Sequence, residues 1–308
     1  MNLYRVVFLN FCRLHAGIHY FGDSSCIVPP VILSDENKDK MKEIARKIGL
    51  RLQVCGLMNI QFAVQNQTVY VIEVNPRASR TIPYISKALG IPLAKIATHI
   101  ALGKKLSDFQ LDAELPQNKF FIKSPVFPWK RFDIKDIKLG PEMRSTGEVM
   151  GIGNTIGEAY AKALIASSCT LPKSGCIFLS FRDQDKYDLP RVGKKLHTLG
   201  YKLVATQGTY ECLQQHNIPC ERVNKVMQGR PHIVDAIRNG DVHLMINTPS
   251  NNNIRSRNDD SSMRIAGLKF DLPCITNLRS AQVLIQALEC LQKSDWSIES
   301  IQALHQVS

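Results

Sequence analysis

The sequence predicts an α/β protein of two units, an antiparallel strand pair with helices followed by a doubly wound parallel sheet. Three observations carry that expectation. The 308 residues amount to about two domains of roughly 100–200 residues each. In the first half, two strand-like runs, Leu57 to Val64 and Val69 to Val74, flank the turn-forming Gln65-Asn66-Gln67. From Cys176 onward, short apolar runs alternate with helical ones, the pattern of a parallel sheet covered by helices on both faces.

Composition narrows the class. A hydrophobic fraction of 44% with 21% charged residues excludes a disordered tail, a collagen-like fibre and a coiled-coil rod. No apolar run reaches the ~18 residues that a membrane span needs. The opening MNLYRVVFLNFCRLHAG loosely imitates a signal peptide, but Asn10 interrupts its apolar core and no small-x-small cleavage site follows. Nine cysteines form no C-x-x-C pair and no zinc-like spacing, so reduced thiols in a cytoplasmic protein are expected. Lys plus Arg exceed Asp plus Glu by 39 − 27 = 12, which points to anionic partners. Residues 1–169 carry 22 − 14 = +8 and residues 170–308 carry 17 − 13 = +4. Neither half is the dense basic patch of a nucleic-acid binder, so no nucleic acid and no membrane are expected as partners.

Taken in order, Ser34 with Asp35 and Glu36 signals a helix start, and Met41, Ile44, Ala45 and Ile48 follow at helical spacing up to Gly49. The two strand runs should then pair as a hairpin. Along them, even positions (Met58, Ile60, Phe62, Val64, Tyr70, Ile72, Val74) are apolar and should face the core. Odd positions carry Gln61, Glu73 and Asn75. If like-parity residues stand opposite one another, these three share a side and offer only oxygen ligands, which suit Mg²⁺ or Mn²⁺ held with nucleotide phosphates. A solvent-facing sheet surface accounts for the same alternation. Asn75-Pro76-Arg77 ends the strand, and Arg77 and Arg80 bring guanidinium forks that match phosphate oxygens. Thr81 to Leu89, stopped by Gly90, and Leu93 to Leu102, stopped by Gly103, read as packing helices.

The small, polar stretch Ser167 to Ser174 marks the seam between the units. Strands are expected at Cys176 to Phe181, Leu203 to Thr206, His243 to Ile246 and Pro273 to Thr276, and a helix at His232 to Asn239. The Asn/Ser/Asp/Arg-rich run Pro249 to Ser262 should be a mobile loop. Ligands of open sheets lie past the carboxyl ends of the strands, here Ser180, Thr206, Gln207, Gly208, Thr209, Asn247 and Thr248. Thr206-Gln207-Gly208-Thr209 looks like a tight turn opening a helix whose N–H groups and hydroxyls take a phosphate, although a plain capped turn has the same form. Lys186 and Lys225 could neutralise the anion.

The run GLMNIQFAVQNQTVYVIEVNPRASRTIPYISKALGIPLAKIA resembles the end of an ATP-grasp module of the carbamoyl-phosphate synthase large chain. GPEMRSTGEVMGIG, Gly140 to Gly153, is similar to the segment closing its second synthetase unit. The likeness runs from about Ala16 to the C-terminus, so residues 1–15 form an atypical N-terminus. Residues 16–168 are then the C-terminal part of the ATP-grasp unit, and residues 169–308 a methylglyoxal-synthase-like regulatory domain. The resemblance implies an ATP-dependent ligase of arginine and pyrimidine biosynthesis that phosphorylates carbamate, with ammonia from a glutaminase small chain. It makes Gln61, Glu73 and Asn75 the metal ligands bridging ATP phosphates, and assigns Arg77 and Arg80 to the transferring phosphoryl group or the carbamate. Gly17, Ile18 and His19 match the family's nucleotide-contacting stretch. Ser180, Lys186, Thr206, Thr209, Lys225 and Asn247 become the site of a nucleotide monophosphate effector.

Departures from the family pattern are specific. After His19 the chain reads Tyr20-Phe21-Gly22-Asp23-Ser24 where the family has H-S-G-D-S, and Ser124 stands where some members place a glutamate that binds ornithine. With nothing family-like ahead of Ala16, a missing N-terminal section of the large chain, carrying nucleotide-clamping lysines and a lid, is the expected partner, and the isolated chain is expected not to turn over. An inactive gene remnant or a stand-alone nucleotide-binding regulatory module is the alternative.

Overall fold

The computed structural model describes residues 12–13, 23–109, 111, 115–129, 143–248, 254–293, 296 and 298–305. The first unit comprises β1 (Cys12–Arg13), β2 (Cys26–Val28), α1 (Asp35–Arg51), β3 (Asn59–Gln65), β4 (Thr68–Asn75), α2 (Thr81–Leu89), α3 (Leu93–Ala101), β5 (Phe120–Val126), β6 (Gly147–Gly153) and α4 (Ile156–Ala166). The second continues with β7 (Cys176–Ser180), α5 (Leu189–Thr198), β8 (Lys202–Ala205), α6 (Gln207–Gln215), β9 (Glu221–Arg222), α7 (Ile233–Asn239), β10 (Leu244–Asn247), α8 (Ile254–Lys269), β11 (Cys274–Ile275), α9 (Leu278–Lys293) and α10 (Ile301–Leu304).

Local chemistry explains the boundaries. The Ser34 hydroxyl accepts the Asn37 N–H and caps α1, which runs two residues beyond Gly49. Gly90, in the left-handed region at φ 71°, ends α2, since a side chain there would be strained. In the α7 capping box, Asp235 accepts from the His232 backbone N–H while the His232 ring accepts from the Asp235 N–H.

β1, β2, β5 and β6 form an antiparallel sheet, and β3 with β4 forms a separate two-stranded one. Asn66 and Gln67 both adopt positive φ, 49° and 64°, as a two-residue turn of the right twist requires. Pairing proceeds from Gln65 opposite Thr68 to Phe62 opposite Val71, then shifts by one residue, so that Gln61 faces Glu73 and Asn59 faces Asn75. Ile72 is the extra residue of this bulge. The expectation that every even position faces the core fails beyond it: Val64, Tyr70 and Ile72 are exposed, at 36%, 48% and 41%. The hairpin is a sheet separate from the larger one, and α1 meets its distal end only in part, with Asn37 Nδ2 donating to Gln67 Oε1 at 2.8 Å.

The second unit is a parallel sheet in the order β11-β10-β7-β8-β9. Its central strands are buried on both faces, which is why they read as continuous apolar runs. Ile177, Leu179, Leu244 and Ile246 pack with α4, α5 and α9, whereas Phe178 and Met245 pack with α7 and α8 on the other side. The segment expected as a mobile loop is helical from Ile254 onward. Met263 and Ala266 anchor it in the core, and its polar residues Asp259 and Asp260 are buried rather than solvated.

Two features join the units. One apolar core runs from Ile27 and Ile122 through α4 to α9, and the tail returns to the first unit, where Lys119 pairs with Glu299 at 2.8 Å. At the joint, a Cβ on Gly157 would stand 2.5 Å from the Gln286 carbonyl oxygen. Elsewhere in the first unit, Asp23 is wholly buried and accepts the N–H groups of Arg144, at 2.6 Å, and Ser145, at 3.1 Å, together with the Ser145 hydroxyl.

Gly157→Ala should therefore destabilise the chain by about 1–3 kcal/mol in urea unfolding, because overpacking against backbone outweighs the ~1 kcal/mol that alanine gives a helix. A neutral or stabilising result would show that α4 and α9 are not closely apposed. Asp23→Ala should cost about 2–4 kcal/mol by the same measurement, since it strands buried donors. A cost under about 1 kcal/mol would exclude this anchoring role.

Candidate functional site

The candidate metal and phosphate site lies at the base of the hairpin, on the side of the bulge away from the turn. Because Gln61 and Glu73 are register partners, their side chains project together, and Asn75, two residues on, shares that face. Glu73 is the centre. Its two oxygens accept from Asn75 Nδ2 at 2.6 Å and from Gln61 Nε2 at 3.3 Å. All three are half-buried. Arg77 follows the strand with its Nη2 donating to Asn75 Oδ1 at 3.3 Å, which joins a guanidinium to the amide–carboxylate row.

Arg80 is held differently. Its Nη1 donates to the Ser145 carbonyl at 2.9 Å, its Nη2 donates to the Ser145 hydroxyl at 2.8 Å, and Asp23 lies 3.9 Å away. Asp23 and Ser145 thus fix the direction of Arg80 at the start of α2. Sequence reasoning singled out Asp23 only by resemblance and missed Ser145, since no local spacing links positions 122 residues apart. Gly17, Ile18 and His19, the expected nucleotide contacts, lie outside the described residues.

The donor set fits a hard divalent cation: one carboxylate and two side-chain amides offer oxygens only, and rotating either amide would turn its oxygen toward the place its NH₂ occupies. Among the described residues, no group of three or more His, Cys, Asp or Glu side chains could hold a metal, so softer coordination finds no alternative centre there.

A second polar cluster occupies the carboxyl ends of β7, β8 and β10. Ser180 stands beside Asn247 in register. The Thr206 hydroxyl lies 3.3 Å from the Ser180 hydroxyl and 3.4 Å from that of Thr209, and Thr209 accepts the Phe181 N–H at 2.9 Å. Thr206 occupies the N-cap position of α6, whose amino end carries partial positive charge. A Cβ on Gly208 would stand 2.9 Å from Lys186 Nζ, so that ammonium lies over the first turn of α6. Lys186 also pairs with Asp183 at 2.7 Å. The hydrogen bond and charge of Lys186, with a smaller contribution from Lys225, hold the Asp183 carboxyl below its ordinary range. The Asn247 amide is tied inward, its Oδ1 accepting from Arg264 at 3.0 Å and its Nδ2 donating to Asp260 at 3.3 Å.

Comparison with known proteins bears on both clusters. Residues 10–109 match the family model described as carbamoyl-phosphate synthase L chain, ATP binding domain, and residues 188–276 match the MGS-like domain. A relative from Aquifex aeolicus (strain VF5), "Carbamoyl phosphate synthase large chain, C-terminal section", is 43% identical over 314 residues, covering 95% of this chain and 58% of that protein. The "Carbamoyl phosphate synthase large chain" of Acidobacterium capsulatum is 44% identical across 94% of this chain and 27% of its own length. The protein of that name from Methanosarcina barkeri is 44% identical across 94% of this chain and 72% of its own length. The chain thus spans a little over half of the Aquifex section and about a quarter of the Acidobacterium chain. With both units matched and this identity sustained along nearly all of its length, the chain belongs to the carbamoyl-phosphate synthase large-chain family.

Proposed function

We propose that the chain supplies the carboxyl-side half of a carbamate-phosphorylating ATP-grasp site, together with a nucleotide-sensing domain, within a glutamine-dependent carbamoyl-phosphate synthase. The remainder of the large chain, on the same or another polypeptide, would provide the facing wall for ATP, and a glutaminase small chain the ammonia. The observation that carries this reading is Glu73 held between Gln61 and Asn75 with Arg77 alongside.

In this reading Glu73, Gln61 and Asn75 would hold Mg²⁺ or Mn²⁺. The metal, when bound, neutralises charge on the ATP phosphates and aligns them for transfer. The chain's own groups do the rest. Arg77, exposed at the end of β4, brings a guanidinium to the equatorial oxygens of the transferring phosphoryl group, where charge accumulates. Arg80, kept in one direction by Ser145 and Asp23, presents a fixed positive charge beside it without reorganising during reaction. Gly17, Ile18 and His19 would touch the nucleotide. In the second unit, Thr206, Thr209, Ser180, Lys186, Lys225 and Asn247 would receive the phosphate of a nucleoside monophosphate, reporting the demand for arginine and pyrimidine synthesis.

Mn²⁺ titrated into the chain and followed by electron paramagnetic resonance should bind weakly, and Glu73→Ala should abolish that binding. Deleting Ile72 should leave binding in place, because a ladder without its extra residue runs from Phe62 opposite Val71 directly to Gln61 opposite Glu73. Mn²⁺ binding that survives Glu73→Ala would refute the ligand assignment. Uridine or inosine monophosphate at about a hundred times its Kd should stabilise the chain by about 2.7 kcal/mol, seen as a raised Tm, and Lys225→Ala should remove the shift. Absence of any shift with both nucleotides would sink the sensing role.

A further inference from the structure

We infer that α8 carries the positioning residues of the second site: Arg264 and Asp259 set Asn247 and Lys225 in place for a nucleoside monophosphate. This inference rests on the nucleotide-sensing reading of that unit and adds residues that lie behind the strand ends rather than on them.

The geometry is specific. Arg264 is 2% exposed, Asp260 2%, Asp259 5% and Asn247 0%. Burying three charged groups on one short stretch of helix is costly unless they are hydrogen-bonded, so each demands a partner. One strand-end residue, Asn247, partners two of the three. Arg264 Nη1 donates to Asn247 Oδ1 at 3.0 Å, and Asn247 Nδ2 donates to Asp260 Oδ1 at 3.3 Å. An amide pinned by a cation at its oxygen and an anion at its nitrogen cannot flip, so Asn247 is oriented before any ligand arrives. Asp259 acts on the other side of the site. Its Oδ1 accepts the Met227 N–H at 3.1 Å, which fixes the short 3₁₀ turn over 226–228. Lys225 is the residue that caps this turn.

One helix therefore holds from behind both an amide of the cluster and the turn that Lys225 opens. Groups that recognise a small anion lose affinity when their supporting hydrogen bonds are removed, because orientation must then be regained on binding. Loss of one hydrogen bond to a charged group corresponds to about tenfold in affinity.

Calorimetric titration of uridine monophosphate, inosine monophosphate and inorganic phosphate into the full 308-residue chain tests this. Binding by the unmodified chain and its loss in Lys225→Ala establish the site. Arg264→Lys, which keeps the charge but not the fork, and Asp259→Ala should each weaken nucleotide binding about tenfold. Asp259→Asn keeps an oxygen for the Met227 N–H and should restore affinity to within about twofold. A merely structural role would lower the Tm of Asp259→Ala and leave the affinity of its folded fraction unchanged. Full affinity in both Arg264→Lys and Asp259→Ala, with the unmodified chain binding, overturns the inference alone. Failure of the unmodified chain to bind any of the three probes overturns the sensing reading beneath it. Should Arg264→Lys not fold, the Asp259 pair decides by itself, since its contact is to a backbone N–H.

Discussion

One inserted residue governs the chemistry of the first unit. A two-residue turn at Asn66 and Gln67 pairs Gln65 with Thr68, and continuing that ladder would set every odd position on β3 against an even one on β4. Ile72 breaks this register by a single step, after which Gln61 faces Glu73 and Asn59 faces Asn75. Because side chains alternate with a period of two, that step moves the whole polar set to one side. The carboxylate then sits within hydrogen-bonding distance of two amides, and Arg77 extends the row. The distal residues Val64, Tyr70, Val71 and Ile72 are exposed on both faces of the ladder.

The second unit obeys a different constraint. Its parallel strands are covered on both faces, so polar side chains can gather only at the strand ends and in the helices that back them. Ser180, Thr206 and Asn247 occupy those ends, and Lys186 leans over the first turn of α6. α8 is the unusual layer. It meets the core through Met263 and Ala266 and also carries a buried polar network that reaches the strand ends.

Between the units, glycine at position 157 lets α4 lie against α9 at backbone distance, and a common core continues from the antiparallel sheet into the parallel one. Tail contacts reinforce this joint: Glu299 reaches Lys119, and the His305 ring lies 2.7 Å from the Lys87 carbonyl at the end of α2. The helix that begins beside Arg80 is thus gripped at its far end by a residue from the end of the second unit.

Much of this was legible from residue order alone. Cap residues such as Ser34 and Gly90, the hairpin turn and the buried strands of the second unit announce themselves through short-range chemistry, which does not depend on distant neighbours. The long motif around Glu-Val-Asn-Pro-Arg carried the family. Other features needed the folded chain. A bulge leaves the alternation of apolar residues unchanged in the sequence, so only the observed pairing shows that Gln61 meets Glu73. The run rich in Asn, Asp, Ser and Arg looks like a solvated loop because polarity by itself does not say whether a group is met by water or by protein. Asp259, Asp260 and Arg264 are met by protein. Asp23 and Ser145 likewise find each other across 122 positions, a distance at which sequence spacing carries no signal and packing alone decides.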